Sequence, residues 1–322
     1  FGSPANRNPS VFLAIPNRYY EGVRGWSGGT LTGIADSFLF NPVSDRVRQV
    51  DHHGGYTAAA GHALYTARTY PKEYWNQTAF VTGPTGKLIG NFTLRRNGAG
   101  FTARNNSNLL ASVDEWTAPI NAEVGPDGQV WFIDWYNYIV QHNPTPVAHE
   151  RGKGNAYVSD LRDKQHGRVY RVVYKGRENA RKMSLKGVSL STLIRTLSHD
   201  NMLWRLHAQR LLVERGNDDA KDGLLDLIDD QSADSLGLNP AAIHALWTLD
   251  GLGLVSEGDS LVMDTIVGAL THPSAGVRRN ALMVIPKSQA AIASILGANV
   301  LQDENAQVRL SALLALADSP AD

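Results

Sequence analysis

Gly125-Pro126-Asp127-Gly128, followed at once by Gln129-Val130-Trp131-Phe132-Ile133-Asp134, reads as a tight turn feeding a strand. Proline presets φ at the second turn position, Asp suits the third, and Gly tolerates the left-handed exit, so the flanking segments are expected to pair as a hairpin. A second turn, Gly83-Pro84-Thr85-Gly86, lies between Ala79-Phe80-Val81 and Lys87-Leu88-Ile89. Further on, Arg168-Val169-Tyr170-Arg171-Val172-Val173-Tyr174 alternates as a strand with one apolar and one mixed face does. Short β-prone runs broken by turn residues therefore carry the chain to about Tyr174. The two turns stand 42 residues apart, the span of one four-stranded propeller blade. On that spacing residues 1–175 are expected to form part of a β-propeller, roughly four blades of it, with a β-sandwich as the alternative.

The period then changes. A charged stretch, Lys175-Gly176-Arg177-Glu178-Asn179-Ala180-Arg181-Lys182, opens a linker expected over 176–188, and from 189 to 322 the apolar spacing is helical. Leu197, Arg205, Ala208 and Leu211 are matched step for step by Leu270, Arg278, Ala281 and Val284, and again by Leu301, Arg309, Ala312 and Ala315. Ala245 supplies a fourth unit, because Ala208, Ala245, Ala281 and Ala312 follow one another at 37, 36 and 31 residues. A small residue at a fixed place lets paired helices approach closely, and Asp200, Pro273 and Asp303 suit the first turn of each second helix. The expected fold is thus all-β followed by all-α, the second part a HEAT-like solenoid whose recurring arginines serve architecture.

Composition narrows the function classes. Lys+Arg and Asp+Glu each number 31, leaving no net charge to attract nucleic acid or an anionic membrane. Cysteine is absent, which excludes disulfides, thiolate nucleophiles, thiolate-bound metals and covalent c-type haem in this chain. No apolar run is long enough for a membrane span. The opening Phe1-Gly2-Ser3-Pro4 has neither an initiator Met nor a signal-peptide pattern, as expected of a processed or truncated product.

The series His52-His53-Gly54-Gly55-Tyr56-Thr57-Ala58-Ala59-Ala60-Gly61-His62, Tyr70-Pro71-Lys72-Glu73-Tyr74-Trp75, Gly125-Pro126-Asp127-Gly128, Asp134-Trp135-Tyr136-Asn137 and Leu161-Arg162-Asp163-Lys164-Gln165-His166-Gly167-Arg168-Val169-Tyr170-Arg171 resembles the C-terminal blades of the glucose/sorbosone dehydrogenase superfamily. The likeness is to the bacterial branch in which the propeller precedes HEAT repeats and often a c-type cytochrome domain, and it covers about residues 50 to 175. It implies a six-bladed propeller, a periplasmic or secreted bacterial location, and oxidation of sugars or sugar-derived aldehydes with pyrroloquinoline quinone and Ca²⁺. In such enzymes a histidine takes the hydroxyl proton while hydride passes to the quinone, and arginines steady the developing charge. The resemblance places that histidine in an earlier blade, outside this chain. It also implies two arginines just before the Gly-Pro-Asp-Gly turn; in register those positions hold Ala118 and Ile120, so the charge that would hold a quinone trianion is missing.

Candidate site residues follow from chemistry and position. His62 and Arg168 are expected to carry any catalytic role, with Arg162, Asp163 and His166 falling beside Arg168 before the last strand. His52, His53 and His62 stand near Asp51 as neutral imidazoles that could shuttle protons or bind a metal, although adjacent histidines on a strand face opposite ways. Trp116, Trp135 and Tyr136, with His53, are expected to line a sugar pocket, since the apolar face of a pyranose stacks on a ring. No metal site is expected, for want of a dense Asp/Glu cluster. Two functions stay open: an extracytoplasmic dehydrogenase-like protein passing electrons to a cytochrome, and a non-catalytic module binding a glycan or protein, its helical stack a docking surface. A metal-dependent hydrolase or lactonase ranks third.

Overall fold

The computed structural model describes residues 2, 8–25, 31–39, 41–45, 54–56, 59–140, 160–161, 163–177 and 182–320. The chain divides into two compact units, Phe1–Arg181 and Lys182–Asp322.

The first unit is built of small antiparallel sheets. Strands β1 (Val11–Phe12) and β2 (Thr32–Gly33) make a short pair. Four strands, β3 (Ala60–Leu64), β4 (Thr78–Gly83), β5 (Leu88–Asn97) and β6 (Gly100–Ala111), form a meander in sequence order. Strands β7 (Pro119–Val124), β8 (Val130–Asp134) and β9 (Arg168–Val172) form a sheet of three. Alternation along β4 explains why all of it is buried: Ala79 and Val81 face a core with Tyr56, Leu88 and Phe92, while Phe80 faces another with Tyr65, Tyr70, Val130 and Phe132. That second core joins the two larger sheets. Their approach is close at Gly61, whose φ of +63° is in the left-handed region and where a Cβ would lie 2.8 Å from the Asn121 Cα.

The six-bladed propeller is corrected by this topology. Among the described residues the sheets have two, four and three strands, and none closes into a ring. The 42-residue interval misled because its two turns are not equivalent. Gly83–Gly86 joins the second and third strands of a four-stranded sheet, and a long hairpin of ten and twelve residues then fills the interval. Gly125–Gly128 joins the first two strands of a different sheet, closed by a Gly128 N–H bond to the Gly125 carbonyl at 2.9 Å. A spacing between turns marks a repeat only when the strands on either side recur as well.

The second unit is helical: α1 (Leu190–Thr196), α2 (Met202–Arg215), α3 (Lys221–Asp229), α4 (Pro240–Gly251), α5 (Ser260–Ala269), α6 (Ala275–Val284), α7 (Gln289–Gly297) and α8 (Ala306–Ala317). Helices α2, α4, α6 and α8 pack on one another in succession, and Ala208, Ala245, Ala281 and Ala312 are fully buried in the single core of this unit. The helix starts lie a little beyond the expected residues. Asn201 and Asn305 are the N-caps of α2 and α8, accepting from the Leu203 and Gln307 amides at 3.0 and 2.9 Å, because the Asx side chain reaches back to a free N–H. Among the described residues no helix is long and apolar enough to cross a membrane.

The recurring arginines close a repeated motif. Arg205, Arg278 and Arg309 each donate to the carbonyl six residues back, on His199, His272 and Asp303, at 2.6, 2.7 and 2.5 Å. The same three residues accept, through a side chain, the amide two residues on: His199 and His272 use Nδ1 at 2.9 and 2.8 Å, and Asp303 uses Oδ1 at 2.8 Å. Arg278 also grips Asp303 with two nitrogens at 2.7 and 3.0 Å, a bidentate pair linking consecutive units.

Candidate functional site

Strand β8 ends in Asp134, which is only 1% exposed. Its Oδ1 accepts two backbone amides, Ala118 at 2.7 Å and Tyr136 at 2.9 Å, and so ties the entrance of β7 to the exit of β8. Tyr136 takes φ +54°, a left-handed conformation that costs an ordinary side chain about 1–2 kcal/mol and that tends to persist where surrounding contacts over-determine it. Here they do. The Tyr136 ring stacks on Trp116 with centroids 5.9 Å apart and planes at 29°, and the Arg168 guanidinium lies over the ring, its central carbon 3.2 Å from the centroid. Tyr138 extends the group, 5.6 Å from Trp116. The contact with the Tyr136 side chain raises the Arg168 pKa, against the opposing effect of desolvation, and Arg168 also comes to 4.0 Å from the Asp114 carboxylate.

Beside this stack is a cleft of about 270 Å³ lined by Ser112, Thr117, Phe132, Asp134, Tyr170 and Val172. Strand register explains its composition. Phe132 faces Tyr170 and Asp134 faces Arg168 across the β8–β9 pair, so the four side chains share one side of the sheet. Phe132 is buried and stacks on Tyr170 at 5.1 Å, whereas Tyr170 remains 41% exposed. The Thr117 hydroxyl donates to Ser112 Oγ at 3.1 Å. Asp134 Oδ2 is buried and has no hydrogen-bond donor. An unsatisfied buried acceptor costs roughly 1–3 kcal/mol, and the cost is higher for a charged group.

The structure therefore brings together Trp116, Tyr136 and Arg168 from the expected set. His62 is placed elsewhere, in β3 of the four-stranded sheet, with its Nε2 3.1 Å from Ser10 Oγ; burial pushes its pKa down to about 4 and keeps the ring neutral at pH 7. The two residues expected to share catalysis thus sit on different sheets. Trp135 follows Asp134, its amide bonded to the Ala118 carbonyl at 2.9 Å, and its ring takes no part in the stack. His53 and Arg162 lie outside the described residues. Asp163 holds the loop before β9: Oδ1 accepts from the Gln165 amide at 2.8 Å and Oδ2 is 2.5 Å from His166 Nδ1, contacts that lower its pKa. Sequence reasoning missed Asp134, Ser112, Thr117 and Tyr170 as a group. The one signal available was a carboxylate ending an otherwise apolar strand; the pairing of β8 with a strand more than thirty residues away supplies the rest.

A family model described as a domain of unknown function, DUF7133, matches residues 6–176, which is nearly the whole of the first unit. No curated protein matches the chain.

Proposed function

The chain belongs to the DUF7133 family, and we propose that its β-sheet unit binds a carbohydrate in the cleft beside the Trp116–Tyr136–Arg168 stack. The observation that carries this reading is Asp134, a residue of the cleft lining whose buried Oδ2 has no hydrogen-bond donor. A buried carboxylate oxygen without a donor is unfavourable alone and favourable once a ligand hydroxyl donates to it. Ser112 and Thr117 add hydroxyls that both donate and accept, and the half-exposed ring of Tyr170 offers an apolar surface to the C–H side of a sugar. The size of the cleft is near the lower end of small-ligand pockets, as a site for one or two sugar rings would be.

Binding is favoured over redox chemistry because the residues present do not fit a quinone trianion. Ala118 is fully buried with its amide committed to Asp134, and Ile120 carries no charge. Of the two nearby cations, Arg171 on the cleft lining is paired with Asp127 at 2.8 Å and Arg168 faces Asp114 and the Tyr136 ring, while the lining also holds the Asp134 carboxylate. An array of glycans probed with the full chain tests the reading. Saturable binding to a subset of glycans, competed by the free sugar, is expected; a folded chain that retains none of them overturns it.

A further inference from the structure

A second, much smaller pocket lies on the Tyr138 side of the aromatic group, lined by Pro84, Thr85, Lys87, Glu115, Asn137 and Tyr138. The turn after β4 brings Thr85 and Lys87 inside, where they are 2% and 3% exposed. Lys87 takes φ +58°, a second left-handed side chain in this unit, and its ammonium donates to Ser44 Oγ at 3.1 Å. From the other side, the chain after β8 brings Asn137, also 2% exposed. Its Nδ2 donates to the Asp163 carbonyl at 2.8 Å, which fixes the amide so that Oδ1 is the atom left over. Two buried atoms here have no hydrogen-bond partner, Thr85 Oγ1 and Asn137 Oδ1. The free volume of about 10 Å³ is room for a single oxygen-sized group.

The chemistry of the occupant follows from what each wall requires. Asn137 Oδ1 can only accept, so the occupant must donate; Lys87 lines the same pocket, so the occupant must not be a cation, and the Thr85 hydroxyl suits a donor or an acceptor. A carboxylate fails the first demand. An ammonium or metal cation fails the second, because it would face the Lys87 charge in a poorly hydrated place. A hydroxyl meets both. Water has the same chemistry, and a sugar hydroxyl that replaces it with equivalent bonds keeps their enthalpy while releasing the water. Glu115 precedes Trp116, and Tyr138 packs against that ring at a tilt of 50°, so this pocket is built from the same loops as the aromatic group. Resting on the carbohydrate reading above, we propose that the Thr85–Asn137 pocket is a subsite for one hydroxyl of the bound sugar and thereby sets which hydroxyl pattern the protein accepts.

The test is a set of calorimetric titrations on the full chain with a bound sugar and its singly deoxygenated analogues. One analogue is expected to bind the native chain about tenfold more weakly. Thr85→Val, close to isosteric, should remove that difference, and Thr85→Ser should restore it. If the penalty of every analogue survives in Thr85→Val, the subsite is overturned while sugar binding itself stands. If no sugar binds, the carbohydrate reading falls, and a glycerol titration followed at the Asn137 side-chain amide by nuclear magnetic resonance decides the pocket. A saturable shift that disappears in Thr85→Val upholds a hydroxyl-taking pocket, and its absence overturns it.

Discussion

In the helical unit Arg205, Arg278 and Arg309 close onto backbone carbonyls, and His199, His272 and Asp303 accept the first amides of the next helix. The helical unit keeps Gln307 Nε2 open, but in the β-sheet unit the residues that line cavities carry such buried atoms: Asp134 Oδ2 at the cleft, Thr85 Oγ1 and Asn137 Oδ1 at the small pocket. Backbone strain is distributed the same way. Among the described residues, three of the four left-handed residues other than glycine, Asn76, Lys87 and Tyr136, belong to the β-sheet unit; Lys87 lines the small pocket, and Tyr136 follows the cleft residue Asp134 by two positions. Satisfied networks hold a structure in one arrangement, whereas open acceptors and strained backbone carry a cost that a ligand or a bound water relieves. On the carbohydrate reading proposed above, the contrast fits scaffold duty in one unit and ligand binding in the other.

The largest effect expected from this contrast is at Arg278. Its guanidinium and the Asp303 carboxylate are 11% and 8% exposed, so Arg278→Ala leaves a buried carboxylate and two carbonyls without their donor. The helical unit should lose about 3–5 kcal/mol in urea denaturation, as expected for breaking one side of a buried pair. A loss below about 1 kcal/mol would mean that the motif does not hold the stack.

Next comes a pH effect of known sign. His244, bonded through Nδ1 to Gln209 Oε1 at 2.7 Å, has its pKa pushed down to about 4, first by burial and then by Arg205. A depressed pKa means the unfolded chain binds the proton more readily, so this contribution is present above about pH 6.5 and is lost as pH falls toward 4. His62 behaves alike in the β-sheet unit. On the order of 3 kcal/mol per histidine is at stake over that window. Denaturation curves at pH 7 and pH 4.5 should separate, and His244→Gln should reduce the separation in the helical unit alone.

The smallest effect is expected at Arg168, whose side chain is 39% exposed and whose distance to Asp114 is at the limit of an ion pair. Arg168→Ala should lower the melt only slightly, as loss of an exposed ion pair does. Glycan binding should fall further than stability, because the change uncovers one face of the Tyr136 ring beside the cleft. A melt that drops as far as that of Arg278→Ala would erase the distinction between the two units.

How much of this was legible in the sequence differs for the same reason. A stack of helices repeats its contacts, so Ala208, Ala245, Ala281 and Ala312 announce themselves by spacing, and Arg205, Arg278 and Arg309 with them. The acceptors were there to be read as well, since His199, His272 and Asp303 each stand six residues before an arginine. Sheets built of distant strands leave no such period. The aromatic residues Trp116 and Tyr136 could be named from their types and their place near a turn, and Arg168 from its place before the last strand. Asp134 could not be singled out, because its role depends on β9 arriving opposite β8 and on two amides claiming one oxygen only. His62 was grouped with Arg168 by chemistry, and sheet membership separates them.

The central claim is that the free oxygen of Asp134 serves a ligand and not the fold. Calorimetric titration of the native chain and of Asp134→Asn with one glycan, each paired with a urea melt, tests it most directly. Asn keeps the oxygen that caps Ala118 and Tyr136, so the melt should stay within about 1 kcal/mol while glycan affinity falls at least tenfold. Unchanged affinity, or a melt that collapses in step with it, would contradict the account.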